Sequence, residues 1–157
     1  MSTVKSEQLL SLNKAAQFSY ERVSARLGLR EEEMPASRQC RMISGYMLDY
    51  LRGADPKTPF EVETRYGWEV DEHRYIKSSI SDVIADPTWK QFIPESMRGN
   101  ALPDILIGDR DYIAHFAGSF GVSEANQLLW LPVRDRIQPE RPVCVAERIA
   151  AAFDESY

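Results

Sequence analysis

Thiols and imidazoles are scarce in this chain. Cys40 and Cys144, with His73 and His115, are all that its 157 residues contain. That count excludes a disulfide-stapled framework and leaves thiol or imidazole chemistry four places to reside. Basic charge is also short: 24 acidic against 19 basic residues give a net charge of −5 and a sequence pI of 5.1. Wrapping DNA or RNA calls for a basic face, so nucleic-acid binding is not expected. No apolar run approaches a membrane span, and Met1 to Asn13 lacks the pattern of a cleaved secretory signal. The expectation is a cytoplasmic protein with reduced thiols, or one exported without a cleavable signal, with no membrane partner. There is no internal repeat and no long linker. With 43% hydrophobic residues, a single domain over residues 1–157 has material for a core.

The periodicities alternate between helix and strand. Val4 to Leu29 predicts a helix, with Leu9, Leu10, Leu12, Ala16, Phe18, Val23 and Leu27 at helical spacing and Gly28 near its end. Glu31 to Glu33, followed by Pro35, predicts a solvated connector. Ser37 is the expected N-cap of a second helix, carrying Met42, Ile43, Tyr46, Met47, Leu48 and Leu51 and stopped at Gly53 and Asp55-Pro56. Val62, Thr64, Tyr66, Trp68 and Val70 alternate with polar residues, which predicts a strand. His73–Lys77 and Asp82–Asp86 predict two more, joined by a turn at Ser78–Ser81. Pro94 to Pro103 reads as loop and Ile105–Ile107 as a short strand or helix start. Asp109–Phe116, Ser123–Leu131 and Pro142–Phe153 read as helices. The fold class is therefore α+β, with N-terminal helices packed on a small antiparallel sheet and a helical C-terminal region. Trp68, Trp89 and Trp130 are expected in the core.

A cysteine nucleophile needs a lowered pKa, a base within reach and a third group that orients the base. Cys40 falls in the first turn of the second helix, where unpaired N–H groups favour thiolate, and Arg38 and Arg41 flank it. Cys144 stands between Val143 and Val145 and reads as a small buried hydrophobe. His115 lies in the apolar stretch Tyr112–Phe116 and reads as a half-buried, satisfied core histidine. For His73, strand arithmetic supplies a partner. A turn centred between Ser79 and Ile80 pairs Lys77 with Asp82, Tyr75 with Ile84, and His73 with Asp86, all on one face. Opposed Cβ atoms lie roughly 5 Å apart, within reach of a His–carboxylate hydrogen bond. The candidate catalytic set is Cys40, His73 and Asp86.

The run Ala85-Asp86-Pro87-Thr88-Trp89-Lys90-Gln91-Phe92, after a strand histidine at His73 and a helix-start cysteine at Cys40, resembles the papain-like cysteine hydrolase superfamily. The likeness is closest to its small bacterial papain-fold toxins and glutamine deamidase effectors, and it covers residues 37–92. It implies a papain-like fold in which Cys40 attacks a carboxamide or acyl carbonyl. His73 would then shuttle the proton, and Asp86 would orient His73. In the family a glutamine several residues before the nucleophile serves the oxyanion. Here Met34 stands six residues upstream of Cys40, so Gln39 and Gln91 are the substitute oxyanion candidates.

The activity so implied is thiol-dependent hydrolysis or acyl transfer on a protein or a small acyl or amide substrate, with glutamine deamidation favoured over general proteolysis. The rival is a non-enzymatic accessory, immunity or interaction protein with a vestigial triad. No cofactor is expected. A zinc site is not expected either, because the two cysteines and two histidines are scattered rather than closely paired.

Overall fold

A computed structural model describes residues 4–98 and 101–132. Helix α1 (Ser6–Leu27) is followed by a 3-10 turn (Glu31–Ala36) and helix α2 (Cys40–Ala54). Strands β1 (Phe60–Arg65), β2 (His73–Ser78), β3 (Val83–Asp86) and β4 (Leu106–Asp109) then form one antiparallel sheet in the order β1-β2-β3-β4. Short 3-10 turns at Trp89–Phe92 and Glu95–Met97 interrupt the β3–β4 connection. Helices α3 (Arg110–Ser119) and α4 (Glu124–Gln127) follow. The class is α+β, as the alternating periodicities predict.

Each face of the sheet carries its own core. On one side, Leu12, Ala15, Ala16, Tyr20 and Val23 of α1 and Ile43, Met47 and Leu51 of α2 pack against Phe60, Ile76 and Ala85. On the other, Tyr75, Ile84 and Leu106 are covered by Trp89, Ile93, Ile113, Ala117 and Trp130. Successive strand residues point to opposite faces, so His73, Tyr75, Ile84 and Asp86 share the second side. Ala15 and Ala16 have no bulk to separate α1 from α2, and the two helices pack directly on each other.

Several elements differ from the expected ones, each for a local reason. The α1 stripe turns toward Leu12, Ala15, Ala16, Ser19, Tyr20 and Val23, leaving Leu9, Leu10 and Leu27 exposed. Gly28 closes α1 in the left-handed region at φ 68°, its N–H reaching Ser24 O. The cap of α2 is Gln39 rather than Ser37, whose hydroxyl instead donates to Met34 O at 2.8 Å. Strand β1 stops at Arg65, because Gly67 turns the chain by donating to Val70 O at 3.2 Å. A Cβ at Gly67 would lie 3.0 Å from Leu129 Cδ2. Trp68 consequently sits outside the strand and is 56% exposed, whereas Trp89 and Trp130 are core as expected. His115 is exposed rather than half-buried, because its helix α3 presents Ile113, Ala114 and Ala117 inward. The helix expected over Ser123–Leu131 is one turn, Glu124–Gln127. The helix expected over Pro142–Phe153 lies outside the described residues, as does Cys144.

These burials set an expectation for stability. Ile43→Ala, which empties space between α2 and the sheet, lowers unfolding free energy by about 2–5 kcal/mol. Leu10→Ala, at a site 57% exposed, changes it by less than about 0.5 kcal/mol. Urea titration of both variants checks the difference.

Candidate active site

The hairpin register brings the predicted residues together by a route that differs from the predicted one. Ile76 pairs with Ala85 and Lys77 with Ile84, so the turn centre lies one residue later than expected. The cause is β1: Phe60 pairs with Ser78, which extends β2 and moves the turn onward. Moving the centre by one residue shifts every pairing by two, and a two-residue shift preserves the face. His73 and Asp86 are diagonal rather than opposed, yet on one face, with His73 Nε2 2.5 Å from Asp86 Oδ2. Both are buried, at 1% and 0% exposure.

Asp86 sits in a fully satisfied carboxylate pocket. Its Oδ1 accepts the Thr88 backbone N–H at 2.9 Å, and its Oδ2 accepts the Trp130 indole N–H at 2.7 Å beside His73. The Asp-Pro-Thr order explains the first contact. Pro87 has no N–H, so the aspartate side chain closes a turn onto the next residue. Tyr20 of α1 fixes the same turn from outside, donating to Pro87 O at 2.7 Å. Gln91 belongs to this turn as well, its amide donating to Thr88 Oγ1 at 3.0 Å. Around the imidazole, Phe92 stands edge-on at 4.8 Å between ring centroids, and Tyr75 lies at 5.7 Å.

Cys40 is the first residue of α2, 9% exposed. The Ser44 hydroxyl donates to Arg74 O at 3.1 Å, anchoring the start of α2 where β2 begins. Gln39 makes no capping bond through its side chain, which leaves the first-turn N–H groups without a cap there. Burial works against the thiolate. Hydrogen bonding and charge from His73, with a hydrogen bond from the Arg74 backbone, outweigh it and lower the Cys40 pKa. The expected contribution of the flanking arginines is not the cause. Arg41 reaches away to Glu72 at 3.3 Å, and Arg38 is exposed.

Burial likewise disfavours the His73 imidazolium, but Asp86 and then Cys40 overcome it and raise its pKa from 6.5 to about 9. With Nε2 given to Asp86, the nitrogen left for Cys40 is Nδ1, which has no partner of full hydrogen-bond geometry. The thiol and imidazole are thus in electrostatic reach without a fully formed bond, as is common before substrate arrives.

The structure unites Cys40, His73 and Asp86, places Gln39 next to Cys40, and assigns Gln91 to the Asp86 turn. Trp130 and Thr88 are the site residues that sequence reasoning missed. Thr88 is signalled by the Asp-Pro-Thr order. Trp130, 44 residues from Asp86 in the chain, has no local signal. Among the described residues, no group of three or more His, Cys, Asp or Glu side chains is placed to hold a metal ion, and no helix is long and apolar enough to cross a membrane. Compared with protein-family models, with curated proteins and with solved structures, the chain finds no match.

The raised His73 pKa has a signed consequence. Folding favours the protonated ring, so this contribution to stability is complete below 6.5 and disappears as pH rises through about 9. In a Cys40→Ala protein, where only Asp86 is left to raise the His73 pKa, stability falls from pH 6.5 upward over a span that ends below about 9, by an amount on the order of 2 kcal/mol. Asp86→Asn in the same background flattens the fall. Thermal melts at a series of pH values read both, and a flat profile for Cys40→Ala alone contradicts the assignment.

Proposed function

We propose that the protein is a papain-like cysteine hydrolase or acyltransferase, with Cys40 as nucleophile, His73 as general acid–base and Asp86 as the residue that orients His73. The observation that carries this reading is the meeting of three features at the start of β2. They are a helix-start thiol with a lowered pKa, an imidazole beside it, and a carboxylate 2.5 Å from the far ring nitrogen. Structural cysteines buried in apolar cores have the opposite signature, a raised pKa and no titratable neighbour.

In this scheme the Cys40 proton already rests on His73 Nδ1, and the thiolate sulfur attacks the carbonyl carbon of a carboxamide or acyl group. The C=O electrons move onto oxygen, where the Cys40 backbone N–H at the head of α2 donates to the oxyanion. Gln39 stands beside it as the nearest candidate for a second donor. The imidazolium returns its proton to the leaving amine, ammonia in a deamidation, and a thioester forms. Water, deprotonated by His73, then attacks the thioester, releasing a carboxylic acid that ionises to solvent and restoring the Cys40 thiolate beside the His73 imidazolium. An amine in place of water completes an acyl transfer. Asp86 stays ionised throughout, holding the ring orientation and stabilising the imidazolium. A side-chain amide on a partner protein is favoured over a general peptide substrate. No protease-type sequence surrounds Cys40, which stands in Arg38-Gln39-Cys40-Arg41-Met42.

Intact-mass labelling with iodoacetamide at neutral pH tests the proposal. Cys40 is alkylated rapidly, and His73→Ala slows this by roughly tenfold or more, the thiolate fraction falling as its pKa rises. Cys40→Ala identifies any label carried by Cys144. Equally slow labelling of both cysteines contradicts the triad and assigns the protein to the non-enzymatic class. Incubation with candidate partners, followed by a search for the one-dalton gain of amide-to-acid conversion, then identifies the substrate.

A further inference from the structure

We propose that Arg65 and Arg110 are positioning residues for the triad, acting through Trp130. The proposal rests on Cys40 and His73 forming the reactive pair. Trp130 gives Asp86 Oδ2 its second donor at 2.7 Å, yet it lies beyond α4, where no helix or strand ladder holds it. Its N–H bonds Gln127 O at 3.1 Å in a turn, and the carbonyls of residues 128–131 are held by side chains. Arg65 donates to Leu128 O at 3.0 Å and Leu131 O at 2.6 Å, and Arg110 donates to Trp130 O at 2.9 Å. The Tyr75 hydroxyl lies 2.6 Å from Leu129 O. Four consecutive carbonyls are thus gripped by side chains from β1, β2 and α3.

The grip is itself anchored. Glu63 Oε2 receives Arg110 at 2.7 Å and lies 3.5 Å from Arg65, and Tyr75 OH shares its one proton between Glu63 and Leu129 while accepting from both guanidiniums. Arg65 is 3% exposed. Burying one guanidinium and half-burying a second with a carboxylate is a poor route to stability, since desolvation offsets most of the attraction. Such a cluster instead supplies fixed geometry, because the planar guanidinium fork holds several acceptors at set angles. Here those acceptors belong to the segment that delivers an indole N–H to the triad. Phe92 completes the path, packing edge-on against both His73 and Trp130.

The experiment uses the full chain and its Trp130→Phe, Arg65→Lys and Arg110→Lys variants. The lysines keep a cation beside Glu63 but lack the fork. The pH profile of Cys40 alkylation reports whether Asp86 still supports the imidazolium. The acid limb is expected to move up by about one pH unit in each variant, a roughly tenfold loss of rate below the limb. The proton resonance of the His73 Nε2–H···Asp86 bond, read by NMR, broadens or disappears. Because the arginines act through Trp130, Trp130→Phe combined with either lysine variant is no worse than Trp130→Phe alone. If the lysine variants lower the melting temperature but leave limb and resonance unmoved, or if their effects add to that of Trp130→Phe, the proposal is overturned. Should Arg110→Lys fail to fold, the Arg65→Lys cycle with Trp130→Phe carries the same decision. A wild-type Cys40 with no acid limb overturns the catalytic reading instead, and the His73 resonance then decides the positioning claim by itself.

Discussion

The buried contact between His73 and Asp86 is the constraint around which the rest of the structure is arranged. A carboxylate with no exposure is costly unless both oxygens are hydrogen-bonded and its charge is balanced. Asp86 meets both demands through the Thr88 N–H, the Trp130 indole and the His73 ring. Each donor comes from a different part of the chain, so the pocket forms only when the hairpin, the Asp-Pro-Thr turn and the segment after α4 are all in place. The satisfied carboxylate in turn holds His73 protonated well above its usual range, and the imidazolium draws the Cys40 thiol toward thiolate.

The sheet makes this assembly possible by having two different covers. Helices α1 and α2 pack on one face, while the aromatic residues around Trp89 and Trp130 pack on the other with His73 and Asp86. Cys40 belongs to the first cover and its partners to the second. They meet because α2 begins where β2 begins, tied there by the Ser44–Arg74 contact. Tyr20 reaches from α1 to the Pro87 carbonyl and links the helical layer to the turn below Asp86. The catalytic reading of this meeting point remains our proposal; the geometry that supports it depends on both covers at once.

Much of the candidate site was legible in the residues because its signals are local. A helix-start cysteine, a histidine in an alternating strand and an aspartate before Pro-Thr each depend on near neighbours. The predicted His73–Asp86 pairing was in error by two residues, and the couple survived because a strand returns a side chain to the same face every second residue. What failed had non-local causes. Trp68 continues the alternation of β1 on paper, but Gly67 turns the chain where Leu129 and Val70 crowd it. His115 looks half-buried from its apolar neighbours, yet the face that α3 turns inward carries Ile113, Ala114 and Ala117 instead. The arginines beside Cys40 suggested a local field, but Arg41 is drawn to Glu72 on a loop 31 residues away.

By itself the sequence determined the fold class, the place of Cys40 at a helix start and the shared face of His73 and Asp86. These follow from backbone periods of 3.6 and 2 and from the turn chemistry of proline, which are properties of neighbouring residues. The tertiary structure alone decided the hairpin offset, which β1 set by extending β2 to Ser78, and the choice of Trp130 as the third donor to Asp86. Neither was open to local reasoning. Strand offset depends on how a third strand pairs, and a contact across 44 residues depends on how Arg65, Tyr75 and Arg110 capture the carbonyls of residues 128–131.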